Sequence, residues 1–416
     1  MSILIKGCIL NGKKKDVYIE DSTISEISDR ITIEAESKID ASGLIAVTPF
    51  VNAHTHSAMT LFRGYADDMR LMDWLQNKIW PNEAKLTEKL VYHGAKLACL
   101  EMIKSGTAFF NDMYWHLPGT ARAVKDTGMR ACVSSVMIDM CDSEKSKAEI
   151  RKNAELYDKY SGYNDRMQFA LGPHSIYTLS EESLRWAAEF SEKKNIRMHI
   201  HVSETEQEVK DCIKKNGLRP IEYLDKIGLL SSRTIAAHCV WLDEKEAGII
   251  AKKGVNVVHN PIANMKLCVG NTFKHSMLKK SGANICLGTD GTASNNNLSM
   301  FDTMKTAALL QKHAENNPTI LPATECLAMA TENSYKCFGL NIGLNEGKMA
   351  DIALLNGKEP SLVPCHNLSS NIVYAANSSC VDALICDGNI LMQGRKVKDE
   401  ESIIEEARQS VKELFE

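Results

Sequence analysis

Several common signals are missing from this chain of 416 residues. None of its 13 cysteines forms a Cys-x-x-Cys pair, which excludes a zinc knuckle and favours reduced thiols in a cytosol over a disulfide framework. No apolar run approaches the roughly 18 residues of a membrane span. The net charge of -4 provides no basic excess for nucleic acid. These absences predict a cytoplasmic protein that binds neither nucleic acid nor a membrane.

The two ends of the chain share a β-strand pattern. Near the N-terminus, Ile3 to Leu10 leads into Asn11-Gly12, a strong hairpin signal. Near the C-terminus, Asp351 to Leu355 and Val381 to Cys386 are each followed by a similar turn. Because neither end has enough strands for a core of its own, we predict that they pair into one β-sandwich. The predicted domains are residues 1–47 and 346–416 for this β-sandwich, the second with a terminal helix from Glu400 to Phe415, and residues 48–345 for the middle of the chain.

The middle of the chain alternates strands with helical stretches. Eight such βα units in succession are typical of a (β/α)8 barrel of the TIM type, and no Gly-x-Gly-x-x-Gly follows the first strand to indicate an open dinucleotide-binding sheet. We therefore predict an α/β fold, a barrel with a flanking β-sandwich. The predicted barrel strands are Thr48 to His54, Ala108 to Met113, Ala131 to Ile138, Met167 to Leu171, Ile196 to His201, Thr234 to His238, Val255 to His259 and Ala283 to Leu287.

Histidine and carboxylate residues stand at the ends of these strands, where the active sites of such barrels lie. His54 and His56 close the first strand and, being two residues apart, point to the same side. A lone histidine at a strand end is more often a hydrogen-bonded structural residue, but several converge here on one face. The others are His174 after strand four, His199 and His201 on strand five, His238 on strand six and Asp290 after strand eight.

These side chains predict a catalytic metal centre. Two imidazoles from strand one, one from strand five and the Asp290 carboxylate form a nitrogen and oxygen set suited to Zn²⁺ or Fe²⁺, with a position left for water. Such an ion lowers the pKa of its water toward about 7. We expect Asp290 both to bind the ion and to accept the water proton, and His238 to orient the water or to help as base.

Two assignments stay open on the residues alone. His199 and His201 share one strand face, so periodicity does not choose between them as ligand. Position favours His201, which is nearer the C-terminal mouth, and leaves His199 as a buried, hydrogen-bonded neighbour. Glu204, three residues past His201, is either an exposed loop acid or a group that gives a proton to a heterocycle nitrogen and passes it to a leaving group.

Five separated motifs resemble those of the amidohydrolase superfamily, in its branch of aminohydrolases that act on adenosine-like nucleosides. The resemblance covers almost the whole chain, and the motifs occur in the family's order. Within the branch, they look like those of 5'-methylthioadenosine/S-adenosylhomocysteine deaminases and the similar 5'-deoxyadenosine deaminases. The motifs are Pro49 to His56, Trp80 to Leu86, Gly172 to Ser175, His201 to Thr205 and Leu287 to Asn296, and Gly347 to Ile352 follows them.

The resemblance implies a ligand set for one divalent metal ion, usually zinc, with Fe²⁺ or Mn²⁺ as alternatives. The binuclear members of the superfamily bridge two ions through a modified lysine at the end of strand four. That place reads Gly172-Pro173-His174 here, so a single ion is expected. The ligands that the resemblance implies are His54, His56, His201 and Asp290.

The resemblance also implies roles in deamination. Glu204 would protonate N1 of the purine, and His238 would assist the attacking hydroxide at C6. Glu83 would take the ribose hydroxyls, and His174 would contact the substrate. Ammonia would leave to give an inosine-type product. A homo-oligomer, often a tetramer, is also typical of the family.

The segment after Asp139 departs from the family. Deaminases that accept S-adenosylhomocysteine can hold its amino-acid carboxylate with arginines, and Met140 to Ser146 contains none. Arg151 is either that clamp or a surface cation of a helix. We therefore expect 5'-deoxyadenosine as the favoured substrate, with 5'-methylthioadenosine, S-adenosylhomocysteine and adenosine as further ones.

Two other functions compete with nucleoside deamination. One is an aminohydrolase or chlorohydrolase acting on a guanine-like or triazine-like ring, since a metal set alone indicates only that hydroxide attacks an sp² carbon. The other, less favoured, is a non-enzymatic scaffold, whose expected signature is the loss of ligands that this chain keeps.

Overall fold

The computed structural model describes residues 1–416, and its strands fall into two sheets. Eight parallel strands form a nearly closed barrel, and nine form a mixed sheet beside it. The strands in chain order are β1 (Ser2–Leu10), β2 (Lys13–Glu20), β3 (Thr23–Ser28), β4 (Ser37–Asp40), β5 (Leu44–Val47), β6 (Phe50–Thr55), β7 (Thr107–Tyr114), β8 (Arg130–Met137), β9 (Met167–Pro173), β10 (Arg197–Val202), β11 (Thr234–His238), β12 (Asn256–His259), β13 (Asn284–Leu287), β14 (Ile352–Asn356), β15 (Val381–Cys386), β16 (Asn389–Gln393) and β17 (Lys396–Val397).

Helices separate the barrel strands, and several begin at a side chain that caps the first turn. Thr87, Asp142, Ser180, Thr205 and Asp243 each accept the backbone N–H three residues further on. The helices are α1 (Leu71–Trp74), α2 (Trp80–Glu83), α3 (Glu88–Lys104), α4 (Leu117–Thr127), α5 (Ser143–Tyr160), α6 (Glu181–Lys194), α7 (Glu206–Asn216), α8 (Pro220–Lys226), α9 (Glu244–Lys253), α10 (Pro261–Lys266), α11 (His275–Ser281), α12 (Met300–Ala314), α13 (Ala323–Ala330), α14 (Glu332–Phe338), α15 (Leu368–Tyr374) and α16 (Glu400–Phe415).

The barrel consists of β6 to β13, and each strand pairs in parallel with the next. Nearly all residues of these strands are buried. Helices cover the outer face and side chains fill the inside, which is why the strands read as continuous apolar runs in the sequence. The predicted (β/α)8 barrel is confirmed, and each predicted strand agrees with the observed one within two residues at either end.

The seam of the barrel lies between β6 and β13, which are joined by side-chain hydrogen bonds. Asn52 Nδ2 donates to Thr289 Oγ1 at 2.7 Å, and Thr289 N donates to Asn52 Oδ1 at 3.0 Å. Just beyond, Asp290 N donates to His54 O at 2.9 Å. The closure of the barrel therefore sets two predicted metal ligands, His54 and Asp290, side by side.

The flanking sheet joins the two ends of the chain. β5 pairs antiparallel with β14, with Ala46 opposite Leu354, and β14 pairs in turn with β15. A cluster of 15 buried residues, which runs from Ile3 to Ile385, forms the core of this unit. The predicted flanking β unit made from both ends is confirmed, with all nine strands connected in one sheet. The domain boundaries at residues 47 and 345 stay a prediction.

The terminal helix α16 spans Glu400–Phe415, the range that its apolar spacing predicted. It packs on the barrel helix α3: His93 Nδ1 lies 2.7 Å from Ser410 Oγ, and Lys96 Nζ lies 3.1 Å from Glu406 Oε2. The end of the chain is thereby attached to the barrel. No helix in the structure has both the length and the apolar character that crossing a membrane requires.

A buried ion cluster connects the barrel to the flanking sheet. Arg130, the first residue of β8, donates from Nε to Asp351 Oδ1 at 3.2 Å and from Nη2 to Asp387 Oδ1 at 2.6 Å. The Asp351 side chain is fully buried. Because a buried carboxylate needs a partner, this cluster fixes how the two units meet.

We predict that Arg130→Met lowers the free energy of unfolding by about 3–5 kcal/mol, because it leaves the Asp351 carboxylate buried without its cation. The matched control is Arg408→Met, whose exposed pair with Glu405 is worth about 0–1 kcal/mol. Urea unfolding followed by circular dichroism measures both. Equal losses in the two variants would show that the cluster does not join the units.

Candidate metal centre and active site

The predicted site residues lie at the C-terminal ends of the barrel strands. β6 delivers His54 and His56 follows it, β10 delivers His201, β11 ends at His238, and Asp290 follows β13. Gly288 allows the backbones of β6 and β13 to approach each other closely. A Cβ atom there would lie 2.7 Å from His54 Cβ and 2.6 Å from Asn260 Oδ1, so any larger residue would push the seam apart.

Four candidate ligand atoms lie near one another at the C-terminal mouth of the barrel. The Nε2 atoms of His54 and His56 each lie 3.3 Å from Asp290 Oδ1, and His201 Nε2 lies 3.3 Å from His56 Nε2. Ligand atoms about 2.0–2.1 Å from a tetrahedral zinc ion are separated by about 3.3–3.4 Å. His54 Nε2 is also buried with no hydrogen-bond partner. The donor set, its spacing and this free lone pair fit one divalent ion.

The second ring nitrogen of each histidine ligand is occupied. His56 Nδ1 donates to Met113 O at 2.6 Å, and His201 Nδ1 donates to His174 O at 2.8 Å. The Nδ1 atom of His54 lies 2.6 Å from His199 Nε2. Such contacts place the proton on Nδ1 and direct the Nε2 lone pair to the metal.

The ambiguity between His199 and His201 is therefore resolved by depth in the barrel. His199 is fully buried below His54 and contacts that ligand rather than the centre itself. His201, one pleat nearer the mouth, directs its Nε2 atom to the centre. The two residues differ in their position along β10, which is the feature on which the prediction of His201 was based.

The pKa values of the three candidate histidine ligands are shifted by burial and by Asp290. Burial lowers the pKa of His54 to about 4, against an opposing effect of Asp290, and burial also holds the pKa of His201 well below its ordinary value. For His56, burial acts in the same direction, but Asp290 outweighs it and raises the pKa to about 9. An ion that binds here replaces the proton shared by His56 and Asp290.

The Asp290 carboxylate is held from both sides. Its backbone is left-handed, with φ 66°. Oδ1 accepts Gly291 N at 2.8 Å, and Oδ2 accepts Ser294 Oγ at 2.9 Å. Burial acts to raise the pKa of Asp290, but the neighbouring imidazoles of His54 and His56 hold it well below the ordinary value. Asp290 is therefore an ionised ligand with a fixed orientation.

Glu204 and His238 lie together beside the ligand cluster. Glu204 is 7% exposed, so the exposed-acid interpretation is wrong; its Oε1 atom lies 3.8 Å from His238 Nδ1. Burial raises the pKa of Glu204, although His238 opposes the rise. His238 Nδ1 also lies 2.8 Å from Asn264 Oδ1, which holds the imidazole in place.

A single cavity contains the rest of the predicted site. It is lined by His56, His201, Glu204, His238 and Asp290, and also by Glu83 and His174. The empty space between the lining atoms, with the open solvent at its mouth included, is about 680 Å³. Burial lowers the pKa of His174 to about 3, so this imidazole is neutral.

The sequence analysis did not identify the apolar wall of this cavity. Leu71, Trp74, Leu75 and Trp80 line it, all from one helical segment in which a π-helical turn, Leu75–Ile79, joins α1 to α2. Trp115 Nε1 donates to Glu83 Oε2 at 3.2 Å. Three of the five tryptophans of the chain, Trp74, Trp80 and Trp115, line this cavity. Only Trp80 lies in one of the sequence motifs given above.

The comparison of the whole chain with family profiles gives one match, to the amidohydrolase family over residues 45–391. This chain belongs to the amidohydrolase family. The matched range includes every barrel strand but leaves out β1 to β4 and β17 of the flanking sheet.

This amidohydrolase is similar to curated archaeal proteins along almost its full length. It is 48% identical to 5'-deoxyadenosine deaminase of Methanoregula boonei, over 98% of this chain and 93% of that protein. It is 46% identical to 5-methylthioadenosine/S-adenosylhomocysteine deaminase 1 of Archaeoglobus fulgidus, over 99% of both.

Solved structures share the fold. An adenosine deaminase from Xanthomonas campestris with bound zinc has a TM-score of 0.92 and 31% identity, over 99% of this chain and 98% of that chain. The atrazine chlorohydrolase of Arthrobacter aurescens complexed with zinc has a TM-score of 0.90, over 98% of this chain and 100% of that chain. At 22% identity, the second likeness concerns the fold alone.

We predict that His201→Ala abolishes stoichiometric metal binding, because it removes one of four ligands. His199→Ala keeps the site but weakens affinity by about 10- to 100-fold, because His54 loses the partner that orients it. Metal per chain, measured by mass spectrometry after dialysis against buffered zinc, tests both. His313→Ala, on the exposed surface of α12, is the control. Full metal retention in His201→Ala, with loss in His199→Ala, would transfer the ligand role to His199.

Proposed function

We propose that this amidohydrolase deaminates adenosine-type nucleosides at C6, with 5'-deoxyadenosine as the favoured substrate. The products are ammonia and the inosine-type nucleoside. The observation that carries the proposal is one cavity whose lining combines the metal-ligand cluster and Glu204 with Glu83 and several apolar and aromatic side chains. A purine nucleoside presents groups that match this lining: a reactive carbon, a flat apolar ring and a pair of ribose hydroxyls.

The ligand set is His54, His56, His201 and Asp290, and zinc is the ion we propose for it. When bound, the ion supplies a water molecule of lowered pKa. The protein has to accept the proton of that water and to hold the substrate ring against it. His238 and Asp290 lie at the same end of the cavity and take that proton as the oxygen forms its bond to C6.

Glu204 donates a proton to the ring nitrogen N1. Because burial raises its pKa, the carboxyl group holds a proton more readily than an exposed glutamate does. It gives that proton to N1 as the C6–O bond forms, which leaves a tetrahedral carbon. The proton that His238 or Asp290 took from water then passes to the amino group, the C6–N bond breaks and ammonia leaves. The C6 hydroxyl returns its proton to Glu204 as the C6=O bond of the product forms.

Glu83 is placed to hold the ribose. One of its carboxylate oxygens, Oε2, accepts Trp115 Nε1, and the other is available to a pair of hydroxyl groups. Leu71, Trp74 and Trp80 present apolar surfaces nearby. Flat apolar side chains beside one carboxylate favour a nucleoside over a small polar ring.

The 5' end of the nucleoside extends into a neutral pocket next to Glu83. This second cavity is lined by Trp80, Glu83, Ala84, Leu86, Trp115, His116, Ile138, Met140 and Thr178. It contains no arginine or lysine. Arg151 is exposed on α5 and lines neither cavity. A carboxylate of S-adenosylhomocysteine therefore meets no permanent cation, whereas a methyl or methylthio group meets apolar side chains.

A triazine or guanine ring fits the cavity less well. Such a ring has no ribose, so Glu83 and its tryptophan partner have nothing to bind. The 48% identical relative carries the name of a deoxyadenosine deaminase, while the triazine hydrolase likeness is 21–22% in sequence. The homo-oligomer and the cytoplasmic location stay predictions.

We predict that the zinc-loaded protein releases ammonia from 5'-deoxyadenosine and 5'-methylthioadenosine with a kcat/KM at least tenfold above that for S-adenosylhomocysteine, since the 5' pocket offers no cation to a carboxylate. Steady-state assays on these three substrates, adenosine and guanine measure the order. Preference for S-adenosylhomocysteine would mean that a clamp such as Arg151 reaches the site. Turnover of guanine alone would overturn the assignment to nucleosides.

Glu83→Ala should lower kcat/KM for adenosine by about 10- to 100-fold, the value of hydrogen bonds to a charged group, without changing metal content. The same variant should lose little on 2',3'-dideoxyadenosine, which lacks the hydroxyls that Glu83 holds. Glu88→Ala, an exposed neighbour on α3, is the control. Equal losses on both nucleosides would show that Glu83 does not bind the ribose.

A further inference from the structure

Glu208 is a buried carboxylate next to the site that no step above uses. It lies in the first turn of α7, is 5% exposed, and faces back toward the end of β10. Its Oε1 atom accepts Ser203 N at 2.8 Å, and its Oε2 atom accepts Glu204 N at 2.8 Å. Both oxygens are therefore used by consecutive backbone N–H groups, one of which belongs to Glu204.

This arrangement differs from ordinary helix capping. Thr205 caps α7 by accepting Glu208 N at 3.2 Å, and in a capping box the third residue would reach the N–H of the cap itself. Glu246 does so in α9, where its Oε2 atom accepts Asp243 N at 3.2 Å. Glu208 instead reaches past Thr205 to the two residues before it. The extra reach has no function in the helix.

The backbone that Glu208 holds is strained and shared with His238. Ser203 is left-handed, with φ 50°, an unfavourable conformation for a residue with a side chain. Its carbonyl oxygen accepts Val240 N at 3.0 Å and Trp241 N at 2.9 Å, just after His238. The loops that carry Glu204 and His238 are thus joined through Ser203.

We propose that Glu208 is a positioning residue, whose carboxylate clamps the Ser203–Glu204 backbone so that the Glu204 carboxyl group faces the ring nitrogen of the substrate. The proposal rests on the proposed function for the role of Glu204. Without the clamp, Ser203 relaxes from its left-handed conformation and Glu204 moves away from His238. A displacement of about 1 Å costs up to about 100-fold in rate.

Glu208→Gln is the most informative change, because it keeps the size of the side chain. The amide retains one oxygen for one N–H, but its NH₂ group faces the other N–H, donor against donor. The matched control is Glu246→Gln, a buried glutamate in the same place of α9, whose oxygens accept Arg219 Nε, Ile221 N and Asp243 N away from the cavity. Both variants lose buried hydrogen bonds, but only one touches Glu204.

The expected result in Glu208→Gln is a kcat on 5'-deoxyadenosine that falls by about 10- to 100-fold, with KM and zinc per chain unchanged within about twofold. Glu246→Gln should keep kcat. In a double-mutant cycle, Glu204→Gln/Glu208→Gln should be no slower than Glu204→Gln, because Glu208 acts only through Glu204. Additive losses, or an equal fall of kcat in Glu246→Gln, would overturn the proposal.

A crystal structure of the Glu208→Gln variant tests whether Glu208 holds Glu204 in place, and it requires no activity measurement. The proposal requires the Glu204 carboxylate to leave its place beside His238, where the two side chains are 3.8 Å apart in the native chain. An unmoved Glu204 would refute the clamp. If the native protein releases no ammonia from any adenosine-type nucleoside, the proposed function fails, whereas this structural result still shows whether Glu208 holds Glu204.

Discussion

The crowding of four metal-ligand atoms at the barrel seam is the constraint on which the rest of the site depends. Three imidazole nitrogens and one carboxylate oxygen lie near one another, with three separations of 3.3 Å among them, buried where polar groups without partners are costly. The seam produces this arrangement, since Asp290 N donates to His54 O and Gly288 leaves no side chain between the strands. The contacts that close the barrel therefore also bring the metal-ligand residues together.

Three carboxyl groups occupy this cavity, and their surroundings give them different states. Asp290 has imidazoles on one side and N–H and O–H donors on the other, and its pKa is low. Burial raises the pKa of both Glu204 and Glu83. Neighbouring acids whose pKa values are moved apart by their surroundings can serve as ligand, proton carrier and binding group in one site.

The apolar wall of the cavity belongs to a segment outside the regular barrel. The helical stretch from Leu71 to Glu83 is inserted between β6 and α3, and it supplies both the apolar wall and Glu83. Barrel enzymes commonly vary such insertions while keeping the strand ends. This division explains how chains of one fold, with TM-scores of 0.90 to 0.92 to this one, carry the names of an adenosine deaminase and a chlorohydrolase.

The sequence by itself determined the eight strands, the joining of the two chain ends and the placement of histidine and aspartate residues at the strand ends. Buried parallel strands are apolar along their length, and polar residues at their ends stand out against them. Only the tertiary structure showed which of His199 and His201 lies nearer the ligand cluster. It also showed that Glu204 is buried and that Trp74 and Trp115 line the cavity. A period of two residues tells which side of a strand a residue faces but not how deep it lies, and contacts between distant loops leave no local pattern. Glu208 shows the same limit: it is the third residue of α7, and its contacts with Ser203 N and Glu204 N depend on where β10 ends.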